Sequence, residues 1–210
     1  MTDAAVIRVL VADDHTVVRA GVRGLLTLSP RIDVVAEAST GPETVELFRR
    51  HQPDVTILDL RMPGMSGIEV MKAIRAESPG ARFVALSHCD GDDDIYQALE
   101  AGAQAYHFKT VDAGDLIATV LAVHAGEKRF EGAVAARLRD HVAAPMLSPR
   151  ELEVLRLMAD GASTEAMAAA LEIAHHTVKV HIRSILGKLK AENRNHAVAT
   201  ALKRGLVHLD

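Results

Sequence analysis

The chain has 210 residues, 49% of them apolar and 25% charged, with one cysteine and a net charge of -4. This is globular composition with length enough for two modest domains, and it excludes a disulfide framework. With no apolar run long enough to span a bilayer and no basic, cleavable start at Met1-Thr-Asp-Ala-Ala, a cytoplasmic protein without a membrane segment is expected. The 11 histidines form no HExxH or Cys/His array, which argues against a structural metal site. His175 and His176 read as facing solvent or DNA.

In chain order, Ile7–Ala12 is an apolar run that reads as a buried strand and ends on Asp13-Asp14. Two adjacent carboxylates repel, so the pair requires a cation or full solvation. His15–Leu28 carries Val18, Val22, Leu25 and Leu26 at helical spacing. A strand over Asp33–Ala38 and a helix over Gly41–His51 follow. Val55–Asp59, bounded by Pro53 and by Met62-Pro63-Gly64, reads as a strand buried on both faces with Asp59 at its carboxyl end. Taken alone, Asp59 either lines the crevice where parallel sheets bind ligands or merely caps the next turn.

The pattern then repeats: helix Gly67–Glu77, strand Arg82–Ser87, helix Asp92–Ala101, strand Ala105–Phe108, helix Gly114–Ala125. Strict alternation implies an α/β fold, a doubly wound five-stranded parallel sheet. In such a sheet Asp13, Asp14, Asp59, Ser87 and Lys109 all lie on one rim. Three carboxylates, a hydroxyl and an ammonium suit Mg²⁺ and the oxygens of a phosphate.

These residues, with Met62-Pro63-Gly64, Gly67, and Tyr106 three positions before Lys109, resemble the flavodoxin-like receiver domain of bacterial two-component response regulators over residues 1–125. The resemblance implies that Asp59 accepts a phosphoryl group from a sensor histidine kinase. It implies Mg²⁺ held by Asp14, Asp59 and the Arg61 backbone carbonyl, with Asp13 assisting through water. Lys109 would pair with a phosphoryl oxygen, the Ser87 hydroxyl would move to another, and Tyr106 would swing inward behind it. Two positions depart from the usual pattern: His88 follows Ser87 where small residues are usual, and Thr110 follows Lys109 where many receivers have Pro.

Residues 126–146 read as a linker, helical over Phe130–Val142 through Val134, Leu138 and Val142. The second domain, 147–210, is expected to be small and all-α. Ser148, Pro149 and Glu151 form a helix start with a capping box. A short helix over Ser163–Leu171 precedes a longer one from His175 to Leu189. Its buried stripe is Val178, Ile182, Ile185, Leu186 and Leu189, leaving Lys179, Val180, Arg183 and Lys190 outward. From Lys179 to Arg194 five bases stand against the lone acid Glu192, whereas acids outnumber bases between Met1 and Ala125. An acidic module joined to a basic helix after a short turn suits an arrangement for the DNA major groove.

Leu147-Ser-Pro-Arg-Glu151, Gly161, Thr177-Val-Lys-Val-His181, Ile185 and Lys188-Leu189 resemble the LuxR/FixJ/NarL helix-turn-helix class. By that resemblance Lys179, Val180 and Arg183 meet bases while Thr177, His181 and Lys188 meet phosphates of promoter DNA. Asn193–Gly205, with Ala197, Ala201 and Leu202, would be a fourth helix through which the active protein dimerises, with RNA polymerase as a further partner. Ala174 removes a usual cap oxygen, Ala166 replaces a usual Glu, and Gly187 lies inside the recognition helix. The expected function is thus a phosphorylated, DNA-binding transcription regulator rather than an enzyme. A regulator that binds DNA without phosphorylation is the nearer alternative. An aspartate-nucleophile phosphatase is the more distant one, because the second acid of a DxD motif is here Arg61.

Overall fold

A computed structural model describes residues 6–88, 91–130, 132, 134–135 and 146–207. The chain divides into two compact units.

The first unit is built on strands β1 (Ile7–Ala12), β2 (Ile32–Ala38), β3 (Val55–Leu58), β4 (Phe83–Ser87) and β5 (Ala105–Phe108). They form one parallel sheet in the order β2-β1-β3-β4-β5. Helices α1 (Thr16–Leu26), α2 (Gly41–His51), α3 (Gly67–Glu77), α4 (Asp92–Ala101) and α5 (Ala113–His124) follow the strands in turn. Every residue of β3 and β4 is buried, which explains their unbroken apolar character. A core of Val9, Val11, Ile57, Val84 and Leu86 from the sheet meets Val22, Leu26, Leu116 and Val120 from α1 and α5. Strand order reverses between β1 and β3, so the crevice for a ligand opens at the ends of those two strands.

The expected strands and helices of the first unit are all present, with shifted ends. His15 is the N-cap of α1 rather than its first residue, and Thr27 closes the helix two residues early. The last helix starts at Ala113 because the Asp112 side chain caps it through the Asp115 N–H. Cys89, Asp90 and most of the expected linker helix lie outside the described residues.

The second unit contains α6 (Pro149–Ala159), α7 (Thr164–Ala170), α8 (His175–Lys188) and α9 (Arg194–Arg204). Ser148 and Glu151 form the expected capping box. Val154, Leu155, Met158, Met167, Val178, Ile185, Leu189, Ala197 and Ala201 are its buried core. Ile182 and Leu186 of α8, expected in the buried stripe, are half-buried at the edge of that core. No helix among the described residues is long and apolar enough to cross a membrane.

Candidate functional site

The rim of the first unit gathers the acids from two strand ends. Asp13 follows β1, Asp59 follows β3, and both are nearly fully buried. The Asp59 N–H donates to the Ala12 carbonyl at 2.8 Å, which locks the two strand ends side by side. Gly67 is required here, since a Cβ on it would stand 2.2 Å from the Asp59 carbonyl oxygen. The Ser66–Glu69 capping box then starts α3 immediately beyond the loop.

Lys109, on the segment after β5, reaches into this pocket. Its Nζ lies 2.6 Å from Asp59 Oδ2 and 2.8 Å from Asp13 Oδ2, with all three side chains no more than 4% exposed. Burial pushes the Asp59 carboxyl above its ordinary range, against the pull of Lys109 and the Arg61 N–H. Burial would lower the ammonium of Lys109, but Asp13 and Asp59 outweigh it and hold Lys109 protonated beyond the usual lysine range. The Arg61 N–H donates to Asp59 Oδ1 at 3.2 Å, so position 61 contributes backbone where a second acid would mark a phosphatase.

Ser87 ends β4 fully buried, and the Lys109 N–H donates to its carbonyl at 3.0 Å. Tyr106 is already inward, 1% exposed, its ring edge-on to Phe108 at 5.9 Å. One ligand atom from each of Asp13, Asp14, His15 and Asp59 lies within 4.8 Å of the others. Three carboxylates against one ammonium leave a negative excess, with Asp13 Oδ2 held by the Lys109 ammonium at 2.8 Å and Asp14 Oδ1 facing His15 Nδ1 at 2.6 Å. The cluster therefore fits a divalent cation with oxygen ligands. One member, His15, was not foreseen from sequence, nor was the neighbouring Arg19, which donates to the Asp13 carbonyl at 2.7 Å. The adjacency of His15 to the acid pair was the one available signal.

In the second unit, α8 presents Lys179, Val180 and Arg183 outward, with Val180 52% exposed, and Lys190, expected on the same helix, is exposed just past its C-cap Leu189. Thr177 and His181 are half-buried along the same helix. Ala174 caps α8 with no side-chain hydrogen bond. His175 and His176 are exposed, and His175 Nε2 lies 3.0 Å from Glu165 Oε1. Lys188 differs from the other bases: it donates to Glu151 Oε2 at 2.7 Å, and Ser184 donates to Glu151 Oε1 at 2.6 Å.

Residues 9–121 match the response regulator receiver domain, and residues 145–201 match the luxR family of bacterial regulatory proteins. The chain is 39% identical to the probable transcriptional regulatory protein NarL of Mycobacterium tuberculosis over 207 residues, 96% of each chain. Among solved structures it is similar to the response regulator ChrA of a heme-sensing two-component system, with 36% identity, a TM-score of 0.58, and coverage of 97% and 100% of the two chains. It is also similar to RcsB, solved as two dimers bound to two parallel DNAs, with 26% identity, a TM-score of 0.71, and coverage of 94% and 98%. A buried Asp–Lys pocket on a parallel sheet and a basic helix in a second, helical unit are the two halves of that architecture, and the chain belongs to the bacterial two-component response regulators, as a transcription regulator with a LuxR-type DNA-binding domain.

Proposed function

We propose that Asp59 is the phosphoryl acceptor of this response regulator and that the charge it gains governs promoter binding by α8. The observation that carries this reading is the Lys109 ammonium held 2.6 Å from Asp59 Oδ2 in the buried pocket. A phosphohistidine of a sensor histidine kinase is the donor. An Asp59 oxygen bonds to phosphorus, the P–N bond breaks, and the kinase imidazole leaves with the electron pair. Lys109 then faces a phosphoryl oxygen, the Ser87 hydroxyl donates to another, and Tyr106 fills the space behind Ser87. Asp13, Asp14, Asp59 and the Arg61 carbonyl would hold Mg²⁺, which supplies positive charge to the phosphoryl oxygens. The new group carries roughly −1.5 to −2 charges, enough to draw Ser87 and Lys109 together.

Residues 1–125 form the receiver in this reading, 126–146 the linker helix and 147–210 the DNA-binding domain. Lys179, Val180 and Arg183 read bases, while Thr177, His181 and Lys188 hold phosphates. The active species is a homodimer joined through α9, on half-sites about one helical turn apart or a multiple of it, with RNA polymerase as a downstream partner. The dimers of its relative RcsB on DNA support this assembly.

Light scattering with Mg²⁺ and beryllofluoride, beside intact-mass analysis after acetyl phosphate, tests the proposal. Wild type should gain one phosphoryl group and shift from monomer to dimer, and Asp59→Asn should do neither. Equal DNA affinity of wild type and Asp59→Asn, with or without the phosphoryl mimic, would replace it with phosphorylation-independent control.

A further inference from the structure

The exposed side chains of α8 fall on one line. His176, Lys179, Val180 and Arg183 are exposed at positions i, i+3, i+4 and i+7, on the side of the helix opposite the buried Val178 and Ile185. Lys179, Val180 and Arg183 are the base-reading set of the function proposed above, and His176 lies one turn before them on the same face. Gly187 continues the line one turn beyond Arg183 and has no side chain to offer. Any lengthening of the reading face on α8 therefore comes from His176.

The two adjacent histidines are not equivalent. His175 stands about 100° round the helix from His176, and its Nε2 lies 3.0 Å from Glu165 Oε1, so it is turned toward α7. The His176 ring has no hydrogen bond or ion pair among the described residues. An imidazole carries at least one ring N–H in either of its protonation states. In the major groove guanine presents two acceptors, O6 and N7, whereas adenine sets its N6 amino donor beside N7, thymine a methyl beside O4, and cytosine a donor. A ring N–H at this position is best matched by guanine.

We propose that His176 is a specificity-determining residue of the DNA interface, donating to a guanine one base pair beyond the position that Lys179 reads, on the side away from Arg183. The spacing fits one further base pair. His176 lies about 4.5 Å from Lys179 and about 10.5 Å from Arg183 along the helix axis. With base pairs about 3.4 Å apart, the reading face grows from about two base pairs to about three. This inference rests on the reading of Lys179, Val180 and Arg183 as the base-contacting face of α8.

The test is selection from a duplex library randomised across the half-site, with the full-length chain and beryllofluoride, beside competition binding on selected and scrambled duplexes. Wild type should select guanine next to the position that Lys179→Ala alters. His176→Ala should lose that preference, about three- to tenfold, at that position alone, with affinity for scrambled duplex within about twofold of wild type. His175→Ala should keep it. A loss of equal size on selected and scrambled duplexes in His176→Ala would make the contact one to phosphate and overturn the proposal. A selected sequence unchanged by His176→Ala would overturn it too. In either case a sequence altered by Lys179→Ala confines the failure to His176, and one that Lys179→Ala also leaves unchanged removes the base-contacting face of α8 with it.

Discussion

Lys188 Nζ lies 2.7 Å from Glu151 Oε2, tying the last turn of α8 to the first turn of α6 through a carboxylate side chain 6% exposed. Glu151 thereby serves two structures at once, the capping box of α6 and the seat of the recognition helix. Removing its charge leaves a cation without its partner at the base of α8. Glu151→Gln should cost about 1–3 kcal/mol, read as a lower urea midpoint for the second unit by far-ultraviolet circular dichroism. An unchanged midpoint would show that the pair contributes no stability.

The same carboxylate sets an acid limit. Burial raises its affinity for a proton, but Lys188, Ser184 and Ser148 together overcome this and hold Glu151 at about 2, below the ordinary 4.5. A folded-state value below the unfolded one stabilises fully above about pH 4.5, and that stabilisation is lost as pH falls toward 2. With Lys188 one-third exposed, the contribution is discounted to roughly 1–3 kcal/mol. Urea midpoints measured from pH 6 down to 3 should fall more steeply for wild type than for Glu151→Gln.

The recognition helix is built below its attainable stability. A Cβ on Gly187 would meet nothing within 4 Å, and Ala174 offers no cap oxygen. Gly187→Ala should add about 0.5–1 kcal/mol and Ala174→Ser about 1 kcal/mol. Thermal unfolding of each single variant checks this, and a lowered midpoint for Gly187→Ala would contradict the open space at that position.

Along α8, free and engaged bases should behave differently toward DNA. Lys179 and Arg183 are exposed, so alanine at either should cost about 1–3 kcal/mol of discrimination against non-cognate sequence while phosphoryl acceptance is retained. Lys188→Ala should cost less discrimination, because its ammonium already rests on Glu151. Competition binding with operator and scrambled duplexes at fixed salt separates the three.

Gly67→Ala should damage the receiver from beneath. The added carbon would stand 2.2 Å from the Asp59 carbonyl oxygen and 2.9 Å from Leu60 Cα, both backbone atoms that cannot turn aside. A loss of about 1–3 kcal/mol and slower phosphoryl acceptance are expected, measured by urea unfolding and by the rate of mass gain with acetyl phosphate.

Much of this was readable in advance because the signals are local. Apolar runs ending in Asp13, Asp59 and Ser87 mark strands and their ligand-facing ends together, and Ser148 with Glu151 announces α6 three residues apart. What escaped is what depends on elements distant in sequence. Nothing near Glu151 shows that Ser184 and Lys188 will reach it, 33 and 37 positions away. Nor does the pair Asp13-Asp14 reveal that Arg19 will hold the Asp13 carbonyl, or that the His15 ring will lean on Asp14. These contacts follow from packing angles between elements, to which periodicity is blind.

The Lys109 N–H bond to the Ser87 carbonyl has a mechanical consequence. The hydroxyl of the pocket sits on the last residue of β4 and the ammonium on the first residue past β5, and this main-chain bond fastens the two supports directly to each other. Main chain alone therefore links the support of Ser87 to β5, one of the two edge strands of the sheet.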